Sequence, residues 1–503
     1  MNNKKIWVPG LLIGMILMSL FLHRDYLTLD IQGIHSWRQS QTMWNIRNFA
    51  RYDANILNPR VSKLNMDGTA KIYRYEFPVL QWSIGMMQKV VGEEIVFVRL
   101  FMFGVGIFSV VGMYFLGNFI FKSWWIGLAM AFFFQFSPLF YYYTINPMPD
   151  CLALAAGIWF IYFSLLYEER RETRVLVLAG ICLLMSTWAK LPFLMFSILT
   201  IYFFFKNMRW NRACVLRQLQ YAAIPLLLVL PALVWYAWVM PGWSNNPVTT
   251  GIFGAEFDLR NYLGILKFHV TSMFPKTLLY ITMWPLFFLG MVGILRDQKH
   301  LGWMVALIGI TSLYFLLELT TIDRHHDYYM MPFLPWLYVM VGYGVYFLSK
   351  IELPVFRKYK IPTLFILALI ITSPNQTIQR TKNAWSLEVT GYLTGFVDDY
   401  YYHSDILREA VPADAKCIIV NDPSTYMYSY RIDKRGFFHL EDHFPVGWFK
   451  DLIDNHGATY LYSDSDKINQ LGLSEGLMDS LVIEIGCIKV FRLNTSKKHL
   501  NNK

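Results

Sequence analysis

The sequence predicts an all-α polytopic membrane domain of the order of 11 transmembrane helices, with a long first outer loop, followed by a small α/β domain outside the membrane. Three observations predict it. The 503 residues are 55% hydrophobic and 16% charged, whereas soluble chains carry about 25% charged residues. Mean hydropathy is +0.34. Apolar runs of spanning length recur up to residue 375 and then give way to short strand-like runs.

The stretch MNNKK and the apolar run at 6–22 look like a secretory signal, but no small-x-small cleavage site follows. An uncleaved first membrane helix is expected. Further spans are expected near 95–121, 123–142, 150–167, 175–190, 192–206, 219–241, 278–295, 301–319, 329–349 and 359–375. The two that flank Lys190 are short and could instead form a re-entrant hairpin. With the N-terminus in the cytoplasm, basic residues fall on the inner loops. They include Lys122, Arg170, Arg171, Arg174, Lys206, Arg209, Arg212, Arg217, Arg296, Lys299, Lys350 and Lys360. The short outer loops carry few, as the positive-inside rule requires of a cytoplasmic-membrane protein. The net charge of +10 is thereby a topology signal and not a nucleic-acid one. Aromatics at 17% suit a chain with many membrane–water interfaces.

Two pieces remain outside, the loop 23–94 and the tail. The expected domains are therefore 1–375 and 376–503. In the tail, CIIVND (417–422), ATYLYS (458–463) and LVIEIGCIKVFRL (481–493) read as strands. VGWFKDLIDNHG (446–457) reads as an amphipathic helix stopped by Gly457. Cys417 and Cys487 could pair if this region is outside the cytosol. The chain shows no nucleotide-binding loop, metal box or internal repeat.

Five polar stretches stand at membrane ends, and the topology puts all of them on the outer side. They are GIHSWRQSQT (33–42) with His35, Trp37, Arg38, Gln39 and Gln41; YRYEFP (73–78) with Glu76; NPMPD (146–150) with Asp150; WAKLP (188–192) with Lys190; and DRHHDYY (323–329). Ionisable groups at a bilayer edge are costly and mark function by default. Each has a plainer reading. Glu76 could pair with Arg74, Asp150 could cap the helix that follows, and Lys190 could snorkel. His325, His326, Asp327 and Tyr328 could be ordinary loop or helix-start residues. Their shared side argues against coincidence.

In order and spacing these stretches resemble the bacterial branch of the lipid-phosphate-sugar glycosyltransferases of the GT-C superfamily. That branch includes protein O-mannosyltransferases and lipid A aminoarabinose transferases. The resemblance rests on HSWRQSQTMWNIRNF (35–49), NILNPR (55–60), YEFP, MPDCLALA (149–156) and HHDYYMMPFLP (325–335). It implies transfer of a sugar from a polyprenyl-phosphate carrier, with inversion, to an envelope glycan such as lipopolysaccharide, a lipid or a protein on the outer face. It implies that Glu76 and Asp150 help to hold a divalent metal near the lipid phosphate. Carboxylates suit Mg, Mn or Ca, and a nearby His would admit Zn. Arg38, Lys190, Arg324, His325, His326 and Tyr328 are then candidates for the donor phosphate.

Two positions depart from the family. Its first outer helix usually begins with an Asp, taken as the base; here the place falls on Gln39 or Gln41. Its Lys after the glutamate is Phe77 here. Three repairs are open: His35, whose side chain has a suitable ordinary pKa, replaces the base; Asp30 reaches in; or the acceptor is acidic enough, or the sugar step loose enough, to need little base help. The missing Asp also admits a non-catalytic relative that binds the lipid-linked sugar. A transporter of that lipid is the third reading, but it should carry mid-membrane polar groups and a repeat between halves.

Overall fold

The computed structural model describes residues 4–209, 211–243, 258–352, 354–440 and 443–495. The first three residues of MNNKK lie outside them. The chain divides into two compact units. One comprises residues 1–29, 75–80 and 94–382, the other residues 30–74, 81–93 and 383–503.

The first unit is helical. Among the described residues, six helices are long and apolar enough to cross a membrane. A bent pair, Leu259–Leu278 with Ile281–Asp297, adds a seventh broken span, and four shorter apolar helices accompany them: Trp124–Gln135, Thr173–Ala189, Leu191–Lys206 and Leu301–Leu317. All the expected spans thus have a counterpart. The two that flank Lys190 are among the short ones. Lys190 itself is extended (φ −159°, ψ 115°) between the helix Thr173–Ala189 and a 3-10 turn that begins at Leu191. Pro192 explains the break, because it has no N–H for a continuing helix.

Without a hydrophobic drive between lipid-facing helices, close backbone approach decides which of them pair. The helices Trp284–Asp297 and Leu334–Ser349 approach through two glycines. A Cβ on Gly290 would stand 1.9 Å from the Met340 carbonyl oxygen, and one on Gly344 would stand 2.0 Å from that of Leu286. No larger residue fits at either position.

The second unit is an α/β sheet domain with the strand order β2-β1-β4-β3-β5-β7-β6. The strands are β1 Arg60–Leu64, β2 Ala70–Ile72, β3 Lys416–Val420, β4 Arg435–His439, β5 Tyr460–Ser463, β6 Met478–Ile485 and β7 Ile488–Leu493. β3 runs parallel to β4 and to β5, while β7 is antiparallel to both β5 and β6. The expected helix is present as Val446–His456, with Gly457 left-handed at φ 75°. Two expectations change. The run 481–493 is a hairpin and not one strand, because it turns at Gly486 (φ 58°). Residues 30–74 and 81–93, expected with the membrane domain, belong with the tail. β1 pairs in parallel with β4 through Lys63 and Gly436, and Trp44 Nε1 donates to Ser429 Oγ at 3.1 Å.

Cys417 and Cys487 are both free. Cys417 is on β3 and Cys487 is in the β6–β7 turn, and β5 separates β3 from β7. Two strand spacings are roughly 9.6 Å, beyond the ~7 Å Cα reach of a disulfide.

Candidate active site

Within the first unit, four of the five polar stretches come together. Pro149 opens the helix Pro149–Arg170, its fixed φ being suited to the first helical position. Asp150 follows in the first turn, where the helix dipole favours an anion. It is not the cap: that position is Met148, and no side chain caps this end. Asp150 is 2% exposed. Its Oδ1 lies 3.5 Å from Lys190 Nζ, and its Oδ2 is buried with no hydrogen-bond partner.

The Lys190 ammonium also stands 5.5 Å from the ring centres of both Tyr328 and Tyr329. A lysine pointed at free lipid headgroups would not be held this way. Behind it, the Tyr143 hydroxyl donates to Asp327 Oδ1 at 2.6 Å, which fixes the start of the DYY stretch against the segment that leads into Asp150. Asp327 and Tyr328 are buried.

YEFP is drawn to the same place by backbone and aromatic contacts. The Phe77 N–H donates to the Trp188 carbonyl at 3.1 Å, two residues before Lys190. The Phe77 ring stacks on Trp188 at 4.6 Å and meets Trp235 edge-on at 5.1 Å. Trp235 Nε1 donates to the Tyr75 carbonyl at 3.1 Å. Glu76, 8% exposed, is therefore held between two residues whose positions are fixed by this box.

Arg99 fixes the approach to Asp150. It is fully buried in the helix Ile95–Phe121. Its Nε and one terminal nitrogen donate to the Leu29 carbonyl at 2.9 and 2.7 Å, and the other donates to Asn146 Oδ1 at 2.7 Å. Arg99 and Tyr143 were not singled out from the sequence, since each sits in an apolar or aromatic run; Tyr329 closes the DRHHDYY stretch but was not named as a candidate. Of the remaining candidates in this unit, Arg324 and His325 are exposed. His325 Nδ1 lies 3.3 Å from Asp323 Oδ2. His326 packs edge-on against Tyr328 and Tyr329 at 5.9 and 6.0 Å.

The fifth stretch belongs to the second unit. His35 is left-handed (φ 58°) at the start of the helix Ser36–Arg51. Arg38 donates to Gln41 Oε1 at 2.5 Å. Gln39 is fully buried; its Nε2 donates to the Ile34 carbonyl at 2.9 Å, and its Oε1 has no partner. Asp30 is committed elsewhere. The Arg431 guanidinium lies 2.6 Å from Oδ2, and Tyr430 donates to Oδ1 at 2.6 Å. Burial alone would raise its pKa, but Arg431, Tyr430, Arg47 and the Ile31 N–H together hold it below the usual aspartate value. A carboxylate held this way is a poor proton acceptor, so the expectation that Asp30 reaches into a site as base loses its physical ground.

Among the described residues no three His, Cys, Asp or Glu side chains gather as a metal-holding group. The position beside Asp150 Oδ1 is taken by the Lys190 ammonium.

A family model described as dolichyl-phosphate-mannose-protein mannosyltransferase matches residues 76–235, the segment that carries Glu76, Asp150 and Lys190. No curated protein sequence matches the chain. Among solved structures the chain is similar to ArnT from Cupriavidus metallidurans in the apo state, with a TM-score of 0.63 at 11% identity over 97% of this chain and 98% of that one. The same protein bound to undecaprenyl phosphate gives 0.63 at 12% identity, over 96% and 98%. The archaeal oligosaccharyltransferase AglB from Archaeoglobus fulgidus, in complex with an inhibitory peptide and a dolichol-phosphate, gives 0.57 at 13% identity over 92% of this chain and 70% of that one. At these identities the likeness is one of fold, and it extends over nearly the whole chain.

Proposed function

We propose that the chain is a membrane glycosyltransferase of the GT-C type that moves one sugar from a polyprenyl-phosphate carrier to an envelope glycan, lipid or protein; the family model over residues 76–235 and the likeness of fold support this reading. We propose the outer face of the cytoplasmic membrane for this reaction; the distribution of basic loops supports that side. The observation that carries this reading is the Asp150–Lys190 pair, set beside Tyr328, Tyr329 and the YEFP segment.

In the transfer, an acceptor oxygen bonds to the anomeric carbon and the bond from that carbon to the phosphate oxygen breaks. The electron pair leaves with the polyprenyl phosphate, so negative charge grows on the phosphate. A fixed cation in a site that excludes water stabilises that charge. Lys190 is proposed as this cation. Phe77 stands where the family places a Lys after the glutamate, and its N–H is bonded to the segment that ends in Lys190. Lys190 thus takes the role from a different helix end. Asp150 aims and holds the ammonium. The proton leaves the acceptor for a base, for which His35 is proposed.

Reconstituted protein supplied with radiolabelled polyprenyl-phosphate sugars and a crude envelope acceptor fraction tests the reading. Label moving into the acceptor supports it. The observation that favours a second reading is the buried Gln39 in place of the family's Asp. Tight donor binding without transfer, for every donor tried, would establish a non-catalytic binder of the lipid-linked sugar.

A further inference from the structure

At the opposite end of the helix Pro149–Arg170 from Asp150, a cavity opens. Pro149–Arg170 has 22 residues, which at 1.5 Å each places its two ends roughly 30 Å apart. The cavity has a volume of about 1010 Å³ and is lined by Arg171, Arg209 and Arg217, by Asn211 and Gln218, and by apolar residues including Leu176 and Ile224. It lies within the first unit and shares no residue with the site above.

One of its three arginines is neutralised and two are not. Among the described residues Glu168 pairs with Arg171, which lies 2.9 Å from its Oε1, and Asn207 Nδ2 donates to its Oε2 at 2.8 Å. Arg209 and Arg217 have no carboxylate partner among the described residues. The helix Arg212–Val239 starts at the cavity. Its cap, Asn211, accepts from the Cys214 N–H at 2.9 Å. The earlier N–H groups of that first turn have no partner inside the helix, and they add positive potential. An independent observation also points to a ligand. Gln218 is 4% exposed, lines the cavity, and has a buried Oε1 with no hydrogen-bond partner. An unsatisfied buried acceptor is costly, and here it asks for a donor.

We propose that this cavity binds the headgroup of an anionic phospholipid that carries both a phosphate and a hydroxyl, of the phosphatidylglycerol type. Arg209, Arg217 and the helix N-terminus take the phosphate. Gln218 Oε1 accepts from the headgroup hydroxyl. Leu176 and Ile224 lead the acyl chains towards the bilayer. The basic residues 206–217 are then more than a topology signal, because two of them belong to a lipid site.

The test is native mass spectrometry of the purified full chain after exchange into phosphatidylglycerol, phosphatidic acid or phosphatidylethanolamine. Retention of one phosphatidylglycerol, in preference to phosphatidylethanolamine, is expected. The variant R209Q/R217Q should lose that occupancy by about tenfold or more, since each charge-assisted hydrogen bond is worth at least that much. Q218L should erase the preference for phosphatidylglycerol over phosphatidic acid, which has no headgroup hydroxyl. R174Q is the control; Arg174 pairs with Glu172 at 2.5 Å and does not line the cavity. Unchanged retention in R209Q/R217Q, or an equal loss in R174Q, would overturn the proposal. Displacement of the lipid by millimolar glycerol phosphate would assign the cavity to a soluble phosphate ester and overturn the lipid assignment.

Discussion

Replacing Lys190 with Met removes the ammonium and keeps most of the stem. The ammonium lies 3.5 Å from Asp150 Oδ1, with side-chain exposures of 17% and 3%. At an effective dielectric constant near 20, the attraction at that distance is about 5 kcal/mol. Desolvation offsets much of it, yet removing one partner strands the other, which costs ~3–5 kcal/mol in buried pairs. Two separable effects follow. Stability falls because Asp150 is left as an uncompensated buried carboxylate. Activity falls because the leaving phosphate loses its cation, a change worth about 100- to 1,000-fold by analogy with the loss of one preorganised donor. The variant D150N/K190M separates them. Its stability should recover most of the loss, since the amide needs no counter-charge, while transfer should stay low. The assays are thermal unfolding in detergent and initial rates of label transfer. Transfer by K190M within about threefold of wild type, a small fraction of the loss expected for a phosphate ligand, would refute the role of Lys190.

His35→Ala should abolish transfer while leaving binding of the polyprenyl-phosphate donor intact, and full activity in that variant removes His35 from the mechanism. Chelation should leave transfer unchanged, because Lys190 supplies the positive charge. Loss with EDTA and recovery with Mg, Mn, Ca or Zn would return Glu76 and Asp150 to the role of metal ligands. The Asp30–Arg431 pair sets an acid limit on the second unit. Its folded pKa is held below the unfolded value, so the stabilisation is fully present above the unfolded aspartate value, ~3.9, and is lost as pH falls through the lower folded value. Arg431→Met should cost about 2 kcal/mol at neutral pH, less than a fully buried pair, because Asp30 is a third exposed; thermal unfolding of that variant from neutral to acid pH should show the difference shrinking, and a constant difference contradicts the assignment.

The membrane part was legible because lipid leaves few choices: an apolar run of the right length must be a helix. The convergence of YEFP, NPMPD, WAKLP and DRHHDYY was legible for a related reason, since ionisable groups at one bilayer edge need a cause. What ties them together was not. The Phe77–Trp188 hydrogen bond uses backbone atoms, and Tyr143 sits in YYYT, where its hydroxyl is indistinguishable from those of its neighbours. Arg99 was hidden in the apolar run 95–121 as a lone charge. In the second unit, β3, β5 and the helix Val446–His456 announced themselves by apolar content and by Gly457. β1 and β2 did not, because RVSKL and AKI are short and polar-rich, and the pairing of β1 with β4 depends on residues more than 350 positions away. Asp30 looked available in sequence for the same reason, its partners Tyr430 and Arg431 being equally distant.

The most direct test of the central claim compares wild type with Asp150→Ala, purified and reconstituted in lipid, for transfer of radiolabel from a polyprenyl-phosphate sugar to an envelope acceptor. The account predicts transfer by wild type and none by the variant, with donor binding retained but weakened. Equal transfer by the two proteins would contradict it, because no role for Lys190 in the reaction survives if the residue that holds it can be removed without effect.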